Sequence, residues 1–308
     1  MLSLSDVEAA WRRIAPHIRR TPVIEAEAGV FGQAEPATLK LELFQHGGSF
    51  KPRGAFNNLL SRAVPAAGIA AASGGNHGIA VAHAARALGH KARIFVPEIS
   101  PKIKVAAIEA RGATVIVGGK LYNDARRACE AYVAETGALE VHPFESWETM
   151  AGQGTLALEW MEQTPDLDTV LVAVGGGGLI AGMARAFEGR VKVVGVEPEG
   201  SRCLHAALEA GRPVEVPVSS IAADSLGANQ CGDHVFEVAQ RFVDHVALVS
   251  DAAIRAAQLA LWSAMRITAE PGGAAALAAL ASGAYKPAKG ERVGVLVCGA
   301  NGTLETFL

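Results

Sequence analysis

Charge and cysteine are both scarce in this 308-residue sequence, and no long apolar run interrupts it. Only 19% of the residues are charged and the formal net charge is −3, which offers no electrostatic basis for binding nucleic acid or an anionic membrane. The four cysteines, Cys129, Cys203, Cys231 and Cys298, are widely spaced and form no CxxC pair. That argues against a zinc or disulfide framework, and reduced thiols in the cytosol are expected. The longest apolar runs, such as the one through residues 274–281, reach about ten residues, where a membrane helix needs about 20. Asp6, Glu8, Arg12 and Arg13 interrupt the first turns, so no basic-then-apolar signal segment is read there. A soluble, cytoplasmic protein is the expectation.

Half of the sequence is apolar and it holds 34 glycines, the profile of a compact α/β globule with many tight turns. The length exceeds a typical single domain. Buried β-rich runs alternate with Ala-rich helical stretches: strands at 69–72, 92–96, 113–117, 169–174, 191–196 and 292–297, and helices at 56–62, 101–111, 122–135, 152–161, from 179, at 251–268 and 272–281. Such alternation predicts parallel sheets covered on both faces, and it restarts after Gly152, so two sheets are expected. With no linker or repeat in sight, a small domain inserted into a larger one is expected.

Gly175-Gly176-Gly177-Gly178 follows a strand and opens a helix, which presents bare backbone N–H groups as a cradle for phosphate. Gly176, Gly178 and Ala181 also fit G-x-G-x-x-A, with Glu197 at the next strand's end placed to bind a ribose. The turn alone therefore leaves an NAD-dependent dehydrogenase open, as well as a tight turn with no ligand. Ser73-Gly74-Gly75-Asn76-His77-Gly78 joins another strand to another helix, and its N–H groups and the Asn76 amide could hold a carboxylate or a ring oxygen. His77 reads either as part of that site or as a hydrogen-bonded structural histidine. In Ser49-Phe50-Lys51-Pro52-Arg53-Gly54-Ala55, Lys51 stands between two apolar residues at the start of a helix. Both the apolar contacts and the helix dipole lower a lysine pKa and favour the free amine that a Schiff base requires.

SFKPRGA, SGGNHG, GGGG after a strand and a last strand ending in CGAN, in that order, resemble the fold type II pyridoxal-phosphate enzymes, the tryptophan synthase β-like fold. Within them the chain looks like the threonine/serine dehydratase and serine racemase branch; related cysteine synthases usually carry threonine at the position of His77. Residues 151–155 (AGQGT) and 270–273 (EPGG) extend the likeness to roughly residues 21–301. The resemblance implies two doubly wound α/β domains, a large one over 1–58 and 146–308 and a small one over 67–144 that closes over the substrate. It implies that Lys51 carries pyridoxal 5'-phosphate as a Schiff base and then serves as base at Cα. Phe50, Asn76, Glu270 and Cys298 would contact the cofactor ring, and Gly175, Gly176, Gly177, Gly178 and the Leu179 N–H its phosphate. Ser73, Gly74, Asn76, His77 and Asp224 would meet the substrate. Cys298, in place of the usual serine at the pyridine nitrogen, would leave that nitrogen neutral and favour prompt loss of a β-hydroxyl; it also reads as a small buried hydrophobe. Asp224 reads equally as a turn residue.

The sequence departs from the pattern in two places. Serine racemases of this branch carry a second acid/base, a serine, where Gly74 stands, so weak racemisation and preferred dehydration are expected. Where relatives bind a cation, Glu197 and Ser201 match but Cys203 replaces an aspartate, a poor set for a hard ion. A divalent ion, a monovalent ion and none all stay open. Nothing follows residue 308 to form a regulatory domain, so feedback of that kind is not expected. The expected function is dehydration and deamination of L-threonine or L-serine to a 2-oxo acid and ammonia, in a homodimer. A β-hydroxyaspartate dehydratase, a serine racemase, a non-catalytic amino-acid binder and the dehydrogenase are the alternatives.

Overall fold

The computed structural model describes residues 1–302. Helix α1 (Leu4–Ile14) precedes strands β1 (Val23–Ala26) and β2 (Ala37–Leu41), and α2 (Pro52–Ser61) leads into β3 (Ile69–Ala72). Then come α3 (Asn76–Ala87), β4 (Ala92–Val96), α4 (Lys102–Glu109), β5 (Thr114–Val117), α5 (Tyr122–Thr136), β6 (Leu139–Glu140) and α6 (Trp147–Gln163). The alternation continues through β7 (Thr169–Ala173), α7 (Gly178–Phe187), β8 (Lys192–Pro198), α8 (Cys203–Ala210), α9 (Ala223–Leu226), α10 (Asp233–Phe242) and β9 (His245–Val249). It ends with α11 (Asp251–Met265), α12 (Pro271–Ser282) and β10 (Val293–Val297).

The strands form two sheets, as the alternation predicts. One has six strands in the order β1-β2-β10-β7-β8-β9, parallel except for the β1–β2 pair. The other has four parallel strands in the order β5-β4-β3-β6, all contributed by the chain between β2 and β7. A small doubly wound unit is thus inserted into a larger one. Strands β3, β7 and β10 are buried along their whole length, which is why they read as continuous apolar runs.

Several boundaries move for local reasons. The helix expected from residue 152 begins at Trp147, because Ser146 caps it and its hydroxyl accepts from the Thr149 N–H at 3.1 Å. The helix expected to reach 268 stops at Met265, where Arg266 turns left-handed with φ 57°. The helix expected over 56–62 starts at Pro52, whose ring suits a first helical position, so Lys51 becomes its N-cap. Strands β1, β2, β6 and β9 are short and carry no clear period, and the sequence pattern does not announce them.

The start of α2 is pinned by a buried charge network. The Arg53 guanidinium donates to Glu42 at 2.7 and 2.8 Å and to Glu159 at 2.8 Å, while Lys40 reaches Glu159 at 2.5 Å; all four side chains are buried. Small residues let the helices approach: a Cβ at Gly152 would sit 2.5 Å from the Arg53 carbonyl oxygen, and one at Gly154 2.6 Å from that of Gly182. Sheet, network and close-packed helices together hold the residue after Phe50 in one place.

Candidate active site

Strand order reverses once in each sheet, between β7 and β10 in the larger and between β3 and β6 in the smaller. Open α/β sheets leave a crevice at the carboxyl ends of the strands on either side of such a reversal. The four strand ends here are Gly175 after β7, Cys298 after β10, Ser73 after β3 and Val141–Pro143 after β6. The glycine turn, the Ser73–His77 loop and Cys298 lie at these ends, and Lys51 is brought to them.

The glycine turn after β7 runs into α7, with Gly177 as N-cap at φ +89°, a conformation that side chains resist. Side chains at Gly176 or Gly178 would collide with Phe144, so the turn admits only glycine there. The first N–H groups of α7 have no intrahelical partner by construction and point out of the helix end.

Lys51 is held against the end of β10. The Phe50 N–H donates to the Cys298 carbonyl at 3.1 Å, and Ser49 pairs with Gly299 in a single bridge. The Lys51 ammonium donates to the Pro143 carbonyl at 3.0 Å and lies 5.1 Å from the Phe50 ring centre. Pro143 is itself fixed by the ring of His142, whose Nδ1 accepts from the Phe144 and Glu145 N–H groups at 3.3 and 2.8 Å. Burial pulls the Lys51 pKa down to about 8, with the neighbouring Cys298 and Glu270 side chains opposing the shift. The Cys298 thiol is pushed up to about 12 by burial and by Glu270, so it is protonated at neutral pH; it donates to the Gly272 carbonyl at 3.6 Å.

The Ser73–His77 loop faces Glu270. The Asn76 amide donates to Glu270 at 2.5 Å and accepts from the Asn301 amide at 2.9 Å. Gly299 must be glycine because a side chain there would strike the Glu270 carboxylate. Burial raises the pKa of Glu270, opposed by Lys104 and by the Asn76 hydrogen bond. Lys104, which nothing in the sequence reading picks out, is buried between the two halves of the site. It pairs with Asp224 and lies 3.6 Å from Glu270. Its one local signal is its register, four residues before Ile108 on the buried face of α4. Phe144, packed on the glycine turn, also escapes the sequence reading.

Two sets of candidate site residues are engaged within the fold. The His77 ring is buried. Its Nε2–H donates to the Val141 carbonyl at 2.8 Å, and burial beside Lys51 lowers its pKa to about 3, so it is a neutral tether between the ends of β3 and β6. Glu197 and Cys203 are neighbours, the Cys203 thiol donating to the Glu197 carboxylate at 3.7 Å. The Glu197 carboxylate caps α8, accepting from the Leu204 and His205 N–H groups at 3.0 and 2.9 Å, and burial raises its pKa to about 7. The Ser201 hydroxyl donates to the Leu226 carbonyl at 2.6 Å and the Cys203 thiol to that of Gly175 at 3.2 Å, with the thiol pKa raised by burial. Among the described residues no group of three His, Cys, Asp or Glu side chains could hold a metal ion.

A phosphate cradle, an amine of depressed pKa and an aromatic ring beside it are what an aldehyde cofactor with a phosphate tail needs, and the residues fit such a group. The chain belongs to the family of pyridoxal-phosphate dependent enzymes, whose model matches residues 14–299. Among curated relatives, phenylserine dehydratase of Ralstonia pickettii is 38% identical over 99% of this chain and 94% of its own length. L-threonine ammonia-lyase of Thermotoga maritima is 36% identical over 98% of this chain and 76% of its own. The solved structure of maize serine racemase superposes with a TM-score of 0.93 at 33% identity, covering 99% of this chain and 95% of that one.

Proposed function

We propose that this chain is an ammonia-lyase that dehydrates and deaminates L-threonine or L-serine, giving 2-oxobutyrate or pyruvate and ammonia. The observation that carries this is Lys51: a buried amine of lowered pKa, set where both strand-order reversals meet, beside a protonated thiol and a phosphate-binding turn. Bound pyridoxal phosphate would supply a carbonyl for amines and an electron sink for the substrate's Cα. The turn Gly175–Gly178 and the Leu179 N–H would hold its phosphate, and Phe50, Asn76, Glu270 and Cys298 its ring. A protonated Cys298 adds no negative charge that would keep a proton on the ring nitrogen. Ser73, Gly74 and Asn76 offer the substrate carboxylate a bent run of donors, with Asp224 close by across Gly75. Lys51 Nζ, once free, takes the proton from Cα and the β-hydroxyl leaves.

The relatives named above support a hydroxy-amino acid as substrate. A second substrate carboxylate, as in β-hydroxyaspartate, is disfavoured because Lys104 is already paired with two carboxylates. The dehydrogenase reading does not stand, since the carboxylate it would use on a ribose is buried in the α8 cap. Four free, buried cysteines support a reducing, cytoplasmic setting, and no described helix is long and apolar enough to cross a membrane. Leu259 and Trp262, exposed one turn apart on α11, support a homodimer.

The test is the visible spectrum of the purified protein, with borohydride fixing the chromophore to Lys51 and 2-oxo acid release compared across threonine, serine, phenylserine and both β-hydroxyaspartate diastereomers. Lys51→Ala should remain folded by circular dichroism and release no 2-oxo acid. An active variant, or a colourless protein that binds NADH, would overturn the proposal.

A further inference from the structure

We propose that Cys203 is a positioning residue for the glycine turn after β7, its thiol bracing that turn at the positions where relatives bind a cation, so that this chain holds its cofactor without a divalent ion. The inference goes beyond the lyase reading above and rests only on its assignment of the Gly175–Gly178 turn to the cofactor phosphate.

Strands β7 and β8 stay hydrogen-bonded as far as the Val174 N–H, which donates to the Val196 carbonyl at 2.9 Å. Gly175 is the next residue, and its carbonyl is where the turn leaves the sheet. A backbone carbonyl at such a point needs a partner from elsewhere. Cys203, the first residue of α8, supplies it: the thiol shares its hydrogen between the Gly175 carbonyl at 3.2 Å and the Glu197 carboxylate at 3.7 Å. Glu197 is fixed in turn by the Leu204 and His205 N–H groups, so the thiol links the start of α8 to the turn. Ser201 adds a second link. Its hydroxyl donates to the Leu226 carbonyl at 2.6 Å, and the Leu226 Cα would lie 3.2 Å from a Cβ on Gly175. The segment after β8 thus reaches the glycine turn directly through Cys203 and again by way of α9. Glu197, Ser201 and Cys203 are all buried.

These contacts are those of a hydrogen-bonded brace and not of an ion site. A divalent cation of the hard kind binds oxygens that offer it their lone pairs. Here the oxygens are already supplied with hydrogens: the Glu197 carboxylate by two N–H groups, the Gly175 carbonyl by S–H and the Leu226 carbonyl by O–H. An S–H is a weak donor. It is nonetheless part of the chain, so the turn is held whatever ions are present.

The apo protein, treated with EDTA, would be titrated with pyridoxal phosphate in the presence and absence of magnesium, calcium and manganese. The Kd would be read from cofactor absorbance, and the melting temperature of the apo protein taken in the same buffers. Neither quantity should change with any of the ions in the wild type. Cys203→Ala should raise the Kd about three- to tenfold, the worth of one neutral hydrogen bond, and shift the phosphorus NMR resonance of the bound cofactor. Cys203→Ser keeps a donor and should recover both, which a thiol that merely fills space would not require. A wild-type Kd or melting temperature that improves with a divalent ion and reverts in EDTA overturns the proposal. So does a Cys203→Ala protein with the wild-type Kd and resonance. A wild type that takes up no cofactor strikes the assignment of the turn instead, and an apo melting temperature raised by a divalent ion would then still overturn the brace.

Discussion

An amine captures an aldehyde only in its neutral form, so the lowered pKa of Lys51 has a kinetic signature. With a pKa of about 8, the neutral fraction climbs from about 0.09 at pH 7 to about 0.91 at pH 9, a gain of about tenfold that has nearly saturated. At the ordinary lysine value of 10.5 the same interval brings a gain of about 100-fold and no plateau below pH 10. Apo protein mixed with pyridoxal phosphate in a stopped-flow absorbance instrument from pH 6 to 10 separates the two. The capture rate should level off near pH 9 in the wild type, and no capture at this site should remain in Lys51→Met. A rate that still rises tenfold per unit above pH 9 would refute the claim that burial depresses this amine.

The same shift acts on stability. Folding disfavours the Lys51 ammonium, so the apo protein should gain stability as pH rises from about 8 towards the unfolded value of 10.5; thermal scans of wild type against Lys51→Met should show the gain only in the wild type. Arg53→Met leaves Glu42 and Glu159 buried without their shared guanidinium, a loss of about 3–5 kcal/mol. At about 2.1 cal/mol/K per residue of unfolding entropy this lowers Tm by roughly 5–8 °C, and calorimetry showing a drop under 1 °C would contradict the network. Glu197 holds its proton up to about pH 7 when folded but only to about 4.5 when unfolded. Its contribution to stability therefore falls as pH rises between those values, and Glu197→Gln should flatten that part of the pH–stability profile in denaturant titrations.

Lys51, the glycine turn after β7, the Ser73–His77 loop and Cys298 are legible in the sequence because each is a short run of adjacent residues whose local geometry follows from its own chemistry. Two glycines after an apolar strand, or a lysine ahead of a proline-led helix, carry their meaning within a few positions. Three strands of the inserted sheet, β3, β4 and β5, are legible for the same reason, since they alternate with crossover helices along the chain. Only the tertiary structure decided what those groups face. Asn76 meets Glu270 and Lys104 meets Asp224 across chain separations of 194 and 120 residues, and no periodicity in the sequence records such a meeting. Glu197 and His77 carry side chains suited to ligands, yet both spend their hydrogen bonds within the fold, because a buried polar group must find a partner wherever the chain has placed one. Gly74 shows the same division: the sequence establishes that its own side chain is missing, and the fold fills that space with the hydroxyl of Ser100.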